Sequence, residues 1–346
     1  MNILIVRVSS LGDVVHNMPM IADIQRHYPH ANIDWVVEEA YTDLVRLNPH
    51  VRTIIPIALR RWRKSLQSAV TRAEIVSFYH QLRHEIYDLV FDTQGLLKTS
   101  IVMRLARLAP DGRRVGLNNA TEGSGYEPVS KIFHTQSVPV GLRTHAVMRA
   151  RAVAATALGY QPDTAPDFAM QAPVHDWPGW LPTRAYAVFL HGTARAAKQW
   201  PADHWIALAR VLNERNMPIL LPWGNSMEKA AAESLAAHMR QAIVLPALSL
   251  MEAVMLVRNA ALVVGLDTGL THIAAAYCRP TVEIYCDSPR WKTEGNWSPH
   301  IANVGDTGES PDVAQVLDAI DIVLSVPATR SRDEGILGGI AQNNEA

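Results

Sequence analysis

Three loops of this 346-residue chain carry residue types that could move a proton or hold an anionic group. The first, Ser9-Ser10-Leu11-Gly12-Asp13, follows an apolar run and opens a helical pattern with Met18 and Ile21 on one face. Asp13 reads there either as a helix cap or as a carboxylate facing a cleft as general base. The place is that of a dinucleotide phosphate loop, but Gly12 alone stands for the glycine fingerprint. The second loop, residues 191–201, sets Thr193, Arg195 and Lys198 just before a helical pattern that Pro201 would start. Helix N-termini favour anions, so this loop suits a phosphate, unless its cations are merely solvated. The third, Asp267-Thr268-Gly269-Leu270-Thr271-His272, turns an apolar strand into a helix of small residues, Ala274 to Ala276. Thr268 and Gly269 would present backbone N–H groups to a diphosphate. Asp267 could accept from a sugar hydroxyl or only cap the helix, and His272 could be a packed core histidine. Glu228 falls in the first turn of an Ala-rich helix, where its plain role is to complement the helix dipole.

A fifth feature is the run Arg60-Arg61-Trp62-Arg63-Lys64. Four cations interleaved with an aromatic suit phosphates, an anionic membrane surface or single-stranded nucleic acid, and a charge run is most often a solvated face.

The elements that must position these loops alternate short apolar runs with amphipathic stretches. Residues 3–8, 33–37 and 88–92 read as strands in the first half, and 186–191, 219–222, 243–245, 262–266 and 281–285 in the second. Trp205, Leu208, Ala209 and Leu212 recur at helical spacing, and Ser249 with Glu252 forms a capping box. Pro19 should kink or interrupt the first helix. Continuous apolar strands joined by helices imply parallel sheets covered on both faces, with ligands beyond the strands' carboxyl ends. Prolines crowd residues 162–182, which predicts a linker. The expected organisation is a domain over 1–165, a Pro-rich linker over 166–182, a second domain over 183–326 and a disordered tail over 327–346.

Composition narrows the function classes. Lys plus Arg number 32 and Asp plus Glu 33, for a net charge of −1, which argues against a nucleic-acid coat. No apolar run reaches the roughly 18–20 residues of a membrane span. The N-terminus lacks the pattern of a signal peptide, and two cysteines, Cys278 and Cys286, make neither a disulfide framework nor a four-ligand zinc site. His80 and His84 lack a third ligand, and Walker, His-Glu-x-x-His and Gly-x-Ser-x-Gly motifs are absent, so metal or serine-nucleophile chemistry is not indicated. The expectation is a two-domain cytosolic protein; nothing in the sequence fixes its oligomeric state.

Taken together, the loops resemble those of the lipopolysaccharide heptosyltransferases, glycosyltransferases of the GT-B architecture, over nearly the whole chain. The residues that carry the resemblance are Ser9 to Val14, Trp35-Val36-Val37-Glu38-Glu39, the Arg60–Lys64 run, Asp92-Thr93-Gln94-Gly95-Leu96, Lys198-Gln199-Trp200-Pro201, Leu221-Pro222-Trp223-Gly224 and Asp267 to His272. The basic run together with Trp35 to Glu39 points to the family's first transferase rather than its second. The resemblance implies two Rossmann-like domains facing across a cleft. It also implies inverting transfer of L-glycero-D-manno-heptose from an ADP-heptose donor to the Kdo of Kdo₂-lipid A, without metal or cofactor, at the cytoplasmic face of the inner membrane. In that reading Asp13 is the general base. Lys198, Thr193, Thr268 and Gly269 hold the diphosphate, with Lys198 stabilising the leaving group. Asp267 and His272 help hold the donor sugar and phosphates, and Glu228 takes the adenosine ribose. Leu248, where the family often has methionine, lies near the adenine. Ser10, Gly12, Arg60, Arg61, Arg63 and Lys64 face the acceptor. Ala194 stands where a second hydroxyl is usual. The family's second transferase, a sugar-nucleotide epimerase and a non-catalytic binder of sugar nucleotides or lipid A are the competing readings.

Overall fold

The computed structural model describes residues 1–162, 164–173, 179–193 and 195–327. Part of the expected linker, Ala194 and all but the first residue of the expected tail therefore lie outside the described residues.

Among the described residues, twelve strands form two sheets. The first holds β1 (Asn2–Val6), β2 (Asn32–Glu38), β3 (Val51–Ile57), β4 (Ile86–Asp92), β5 (Arg107–Leu117) and β6 (Gln136–Val138), in the order β3-β2-β1-β4-β5-β6. The second holds β7 (Ala187–Leu190), β8 (Ile219–Leu221), β9 (Ala242–Val244), β10 (Leu262–Leu266), β11 (Thr281–Tyr285) and β12 (Ile301–Gly305), in the order β12-β11-β10-β7-β8-β9. Every pairing is parallel. Read from its own first strand, each sheet has the same order, reversing between β1 and β4 in one and between β7 and β10 in the other. Open sheets of this kind bind ligands at that reversal. The loops after β1, β7 and β10 are thus the ones the topology brings to the crevice.

Local sequence explains the central elements. All five residues of β10 are buried, as a central strand with helices on both faces requires. Helix Ala202–Glu214 buries Trp205, Leu208, Ala209 and Leu212, the face that its spacing predicts. Ser249 caps helix Leu250–Asn259 in the expected box with Glu252. Helix Leu11–His27 starts earlier than its apolar pattern suggests and runs through Pro19 without a break. Four strands have no sequence counterpart in the expectations above: β3, β5, β6 and β12. β3 carries Pro56 at a sheet edge, β5 contains Pro110, Gly112 and four charged residues, β6 has three residues, and β12 is the other sheet's edge. Edge strands such as β3, β6 and β12 need less apolar sequence and tolerate proline, and β5, an inner strand, breaks its register with β4 around Pro110 and Gly112, so periodicity reveals none of the four.

The two halves share an interior. One apolar cluster joins Ile5, Val14, Met18 and Val37 of the first half to Leu190, Val254, Ile273 and Ala274 of the second. Helices Leu11–His27 and Gly269–Ala276 pack directly on each other. Two glycines permit that approach. A Cβ on Gly269 would lie 2.7 Å from Leu11 Cγ, and one on Gly12 would lie 3.0 Å from His272 Cδ2. Across the same junction His145 Nε2 pairs with Glu294 O at 3.0 Å, Lys292 Nζ donates to Gly123 O, and the Arg143 guanidinium lies over the Trp291 ring. Among the described residues no helix is long and apolar enough to cross a membrane.

Candidate active site

Asp13 sits three residues into its helix and reaches back to Ser10, accepting from the Ser10 N–H at 3.1 Å and from Ser10 Oγ at 2.9 Å. Its other oxygen meets Arg7 Nη2 at 2.6 Å, and the side chain is 36% exposed at the cleft. The bland and the functional readings therefore coexist: the side chain closes the helix end and faces the cavity. Burial alone would raise the Asp13 carboxyl. Arg7, the Ser10 N–H, Arg149 and His16 outweigh that and hold it well below the ordinary range.

Opposite, the β10 loop builds a charged relay. Asp267 accepts from Lys198 Nζ at 2.5 Å, from His272 Nε2 at 3.1 Å and from Thr293 Oγ1 at 3.1 Å. His272 Nδ1 lies 3.2 Å from Glu283 Oε1, a fully buried carboxylate that also accepts from Tyr285 Oη and the Gly295 N–H. Desolvation opposes charge on His272, yet the two flanking carboxylates push its pKa up to about 10, so the ring is an imidazolium at neutral pH. Burial alone would raise the Asp267 carboxyl, but His272 and Lys198 together keep it well below the usual range. His272 is thus buried in the core and part of the cleft wall at once. Beside it, His16 is desolvated and next to that positive ring, which lowers its pKa well below the ordinary value.

A raised histidine pKa contributes stability that is complete below the ordinary value near 6.5 and is lost as pH climbs through about 10. The depressed Asp267 contributes above its own ordinary value and loses that only in strong acid. Stability measured by denaturant titration is accordingly expected to fall between about pH 7 and 10. His272→Gln should flatten that slope; an unchanged slope in the variant would contradict the assigned imidazolium.

These groups line a cleft of about 640 Å³ together with Arg7, Lys98, Arg149, Arg195 and Lys292. Its cations outnumber its carboxylates, which suits an anionic occupant. Thr268 and Gly269, at the start of helix Gly269–Ala276, also line a neighbouring cavity of about 380 Å³, as does Thr193. That second cavity is the more apolar, walled by Leu11, Leu190, Pro222, Leu248 and Leu270, with Trp223 beside them. Glu228 lies in it, its carboxylate accepting from the Gly224 N–H at 2.7 Å and Asn225 Nδ2 at 2.8 Å. Two cavities that share Thr193, Thr268 and Gly269 form one continuous path.

Asp13, Ser10, Gly12, Lys198, Thr193, Asp267, Thr268, Gly269 and His272 are brought to the cleft, and Glu228 and Leu248 to the adjoining cavity. The basic run lies apart from both, after β3 at the sheet edge. Arg61 is held by Glu39 at 2.9 Å and Glu74 at 2.8 Å, and Trp62 is buried and donates to Glu74. Arg60 stands over the Tyr41 ring, while Arg63 and Lys64 are exposed. Sequence reasoning missed Arg7, Arg149 and Lys292. Arg149 is a buried cation inside the small-residue helix Ala146–Leu158, and that misplaced charge was the available signal. Among the described residues no three His, Cys, Asp or Glu side chains are grouped as a metal site.

The family model described as glycosyltransferase family 9 (heptosyltransferase) matches residues 75–318. The lipopolysaccharide heptosyltransferase 1 of Escherichia coli strain K12 is 39% identical over 289 residues, 82% of this chain and 88% of that protein. The solved structure of the E. coli heptosyltransferase WaaC with ADP superposes with a TM-score of 0.81 at 34% identity, covering 93% of this chain and 99% of the other. The same enzyme with ADP-2-deoxy-2-fluoro heptose gives 0.77 at 35% identity, with the same coverage.

Proposed function

Because the chain belongs to glycosyltransferase family 9, the heptosyltransferases, we propose that it moves L-glycero-D-manno-heptose from ADP-heptose to the Kdo of Kdo₂-lipid A, inverting the anomeric carbon. The observation that carries the reading is the continuous path from the apolar cavity, through Thr193, Thr268 and Gly269, to the cationic cleft where Asp13 waits. Adenine fits the apolar cavity near Leu248, and Glu228 offers its carboxylate to the ribose. The diphosphate meets the helix N-terminus at Thr268 and Gly269, where unpaired N–H groups and the dipole favour negative charge. Lys198 is within reach of the same place, and His272 holds Asp267 beside the donor sugar.

In the transfer itself, the acceptor hydroxyl oxygen attacks the anomeric carbon as the bond from that carbon to the phosphate oxygen breaks. The electron pair of the broken bond leaves with ADP, whose growing charge Lys198 and the helix end stabilise. The acceptor's proton passes to Asp13. A carboxylate held so far below its ordinary range is a weak base. Proton transfer therefore comes late, when the attacking oxygen is already bonded to carbon and acidic. Arg60, Arg63 and Lys64 grip the anionic head group beyond the cleft, and Arg61 shapes that loop through Glu39 and Glu74. The protein works at the cytoplasmic face of the inner membrane, bound peripherally.

The deciding experiment gives the purified protein ADP-heptose with Kdo₂-lipid A and reads product mass and linkage. One added heptose, inverted and attached to Kdo, is expected. Addition only to an already heptosylated core would assign the second transferase instead. Isomerised sugar nucleotide without transfer would assign an epimerase, and binding without any product a carrier.

A further inference from the structure

Helix Leu97–Leu105 turns Leu97, Ile101 and Leu105 outward at successive turns, each between 37% and 43% exposed. Beside it the short helix Pro128–Phe133 exposes Val129 and, at 73%, Ile132. The two segments are tied together, since Leu97 N–H donates to Glu127 Oε2 at 2.6 Å and Glu127 N–H to Gly95 O. Their inward sides are already used: Val102, Met103 and Phe133 pack into the core beneath. Helix Ala69–Leu82 lies in the same layer and adds exposed Val70 and Val76. Half of the large apolar side chains that the described residues leave exposed, Tyr79 among them, belong to these three helices. Single exposed apolar residues are ordinary, whereas a contiguous patch marks a partner.

Charge identifies the partner. Lys98, Arg104 and Lys131 are exposed at the patch, and Glu127 is the only carboxylate in residues 97–105 and 127–133. That carboxylate accepts from the Leu97 N–H. Position matters as much as charge, because Leu96, Lys98 and Gly125 line the cleft. The apolar stripe therefore begins at the cleft's rim. We propose that the outer face of helices Leu97–Leu105 and Pro128–Phe133 seats on an anionic bilayer, Ile101 and Ile132 entering the acyl region while Lys98, Arg104 and Lys131 meet the headgroups. This rests on the transferase reading above and adds an orientation to it. With the face seated, the cleft opens at the headgroup level, so an acceptor can present its sugar to Asp13 without leaving the membrane.

The test is the double variant Ile101→Glu/Ile132→Glu, with Ile101→Ser/Ile132→Ser as a milder pair. Co-sedimentation uses phosphatidylcholine vesicles with and without phosphatidylglycerol. Turnover is read on acceptor in vesicles and on a fully deacylated, water-soluble acceptor. Binding of the wild type is expected to need phosphatidylglycerol, and the glutamate pair to weaken it by about tenfold or more. Turnover should fall on vesicle-borne acceptor and stay within about twofold on soluble acceptor, since neither residue touches the cleft. Unchanged vesicle binding in both variants overturns the proposal, as does equal binding to vesicles without phosphatidylglycerol. Wild-type protein that dimerises, and variants that become monomers with vesicle binding intact, would assign the face to a second copy and also overturn it. A wild type inactive on the soluble acceptor would instead refute the assigned reaction, leaving the vesicle result to judge the face alone.

Discussion

Asp13→Asn is expected to lower turnover by about 10²–10⁴-fold while ADP-heptose binding is retained, because the amide can keep the contacts to Ser10 but cannot take a proton. The asparagine variant is preferable to alanine. Both substitutions remove the charge beside Arg7, which is 6% exposed and whose Nε has no partner among the described residues, so chemistry has to be separated from folding in either; asparagine keeps the volume and the Ser10 contacts that alanine would also lose. Calorimetric donor binding, turnover and melting temperature, measured together, separate the two effects. Turnover like that of the wild type would remove Asp13 from the mechanism. The same geometry bears on pH. Asp13 in the free protein stays ionised well into acid, so an acid limb of kcat/KM between about pH 5 and 8 must come from another group.

Lys198→Ala is expected to reduce kcat by about 10²–10³-fold, the usual cost of deleting one fixed stabiliser of developing charge. Lys198 meets Asp267 in the structure, yet Asp267 keeps His272 and Thr293 when the ammonium is gone. The loop should therefore hold its shape, and the loss should report on chemistry. Lys198→Arg should restore only part of the rate, since a planar guanidinium does not reproduce a compact ammonium beside Asp267. If alanine raised KM for the donor and left kcat intact, Lys198 would bind the ground state and the leaving-group role would fall.

The site's framework was legible where sequence and geometry say the same thing. An apolar strand followed by Asp267-Thr268-Gly269 and then alanines can hardly be other than a central strand, a tight turn and a helix laid close to a sheet. Asp13 after β1 was legible for the same reason. What stayed hidden depends on contacts between distant residues. Nothing local distinguishes the Lys292 that reaches Gly123 from any surface lysine, and the carboxylates that raise the His272 pKa stand five positions before it and eleven after. The basic run shows the opposite failure. Four neighbouring cations look like one patch, but Glu39 and Glu74 remove Arg61 from it, and Glu74 comes from a helix that sequence reading had not connected to that loop.

The apolar interior that crosses from the first half into the second makes the chain less modular than its matching sheets suggest. Repeated strand order invites the idea of two interchangeable cassettes, one for donor and one for acceptor. Yet Val14 and Met18 are buried against the same cluster as Ile273 and Ala274, and Gly12 and Gly269 admit the two helices to contact. A half severed at the proline-rich stretch would show that seam to water as a sticky apolar wall. Grafting a donor half from a related transferase therefore succeeds or fails at the seam: the side chains facing Leu11 and His272 have to be carried across with it.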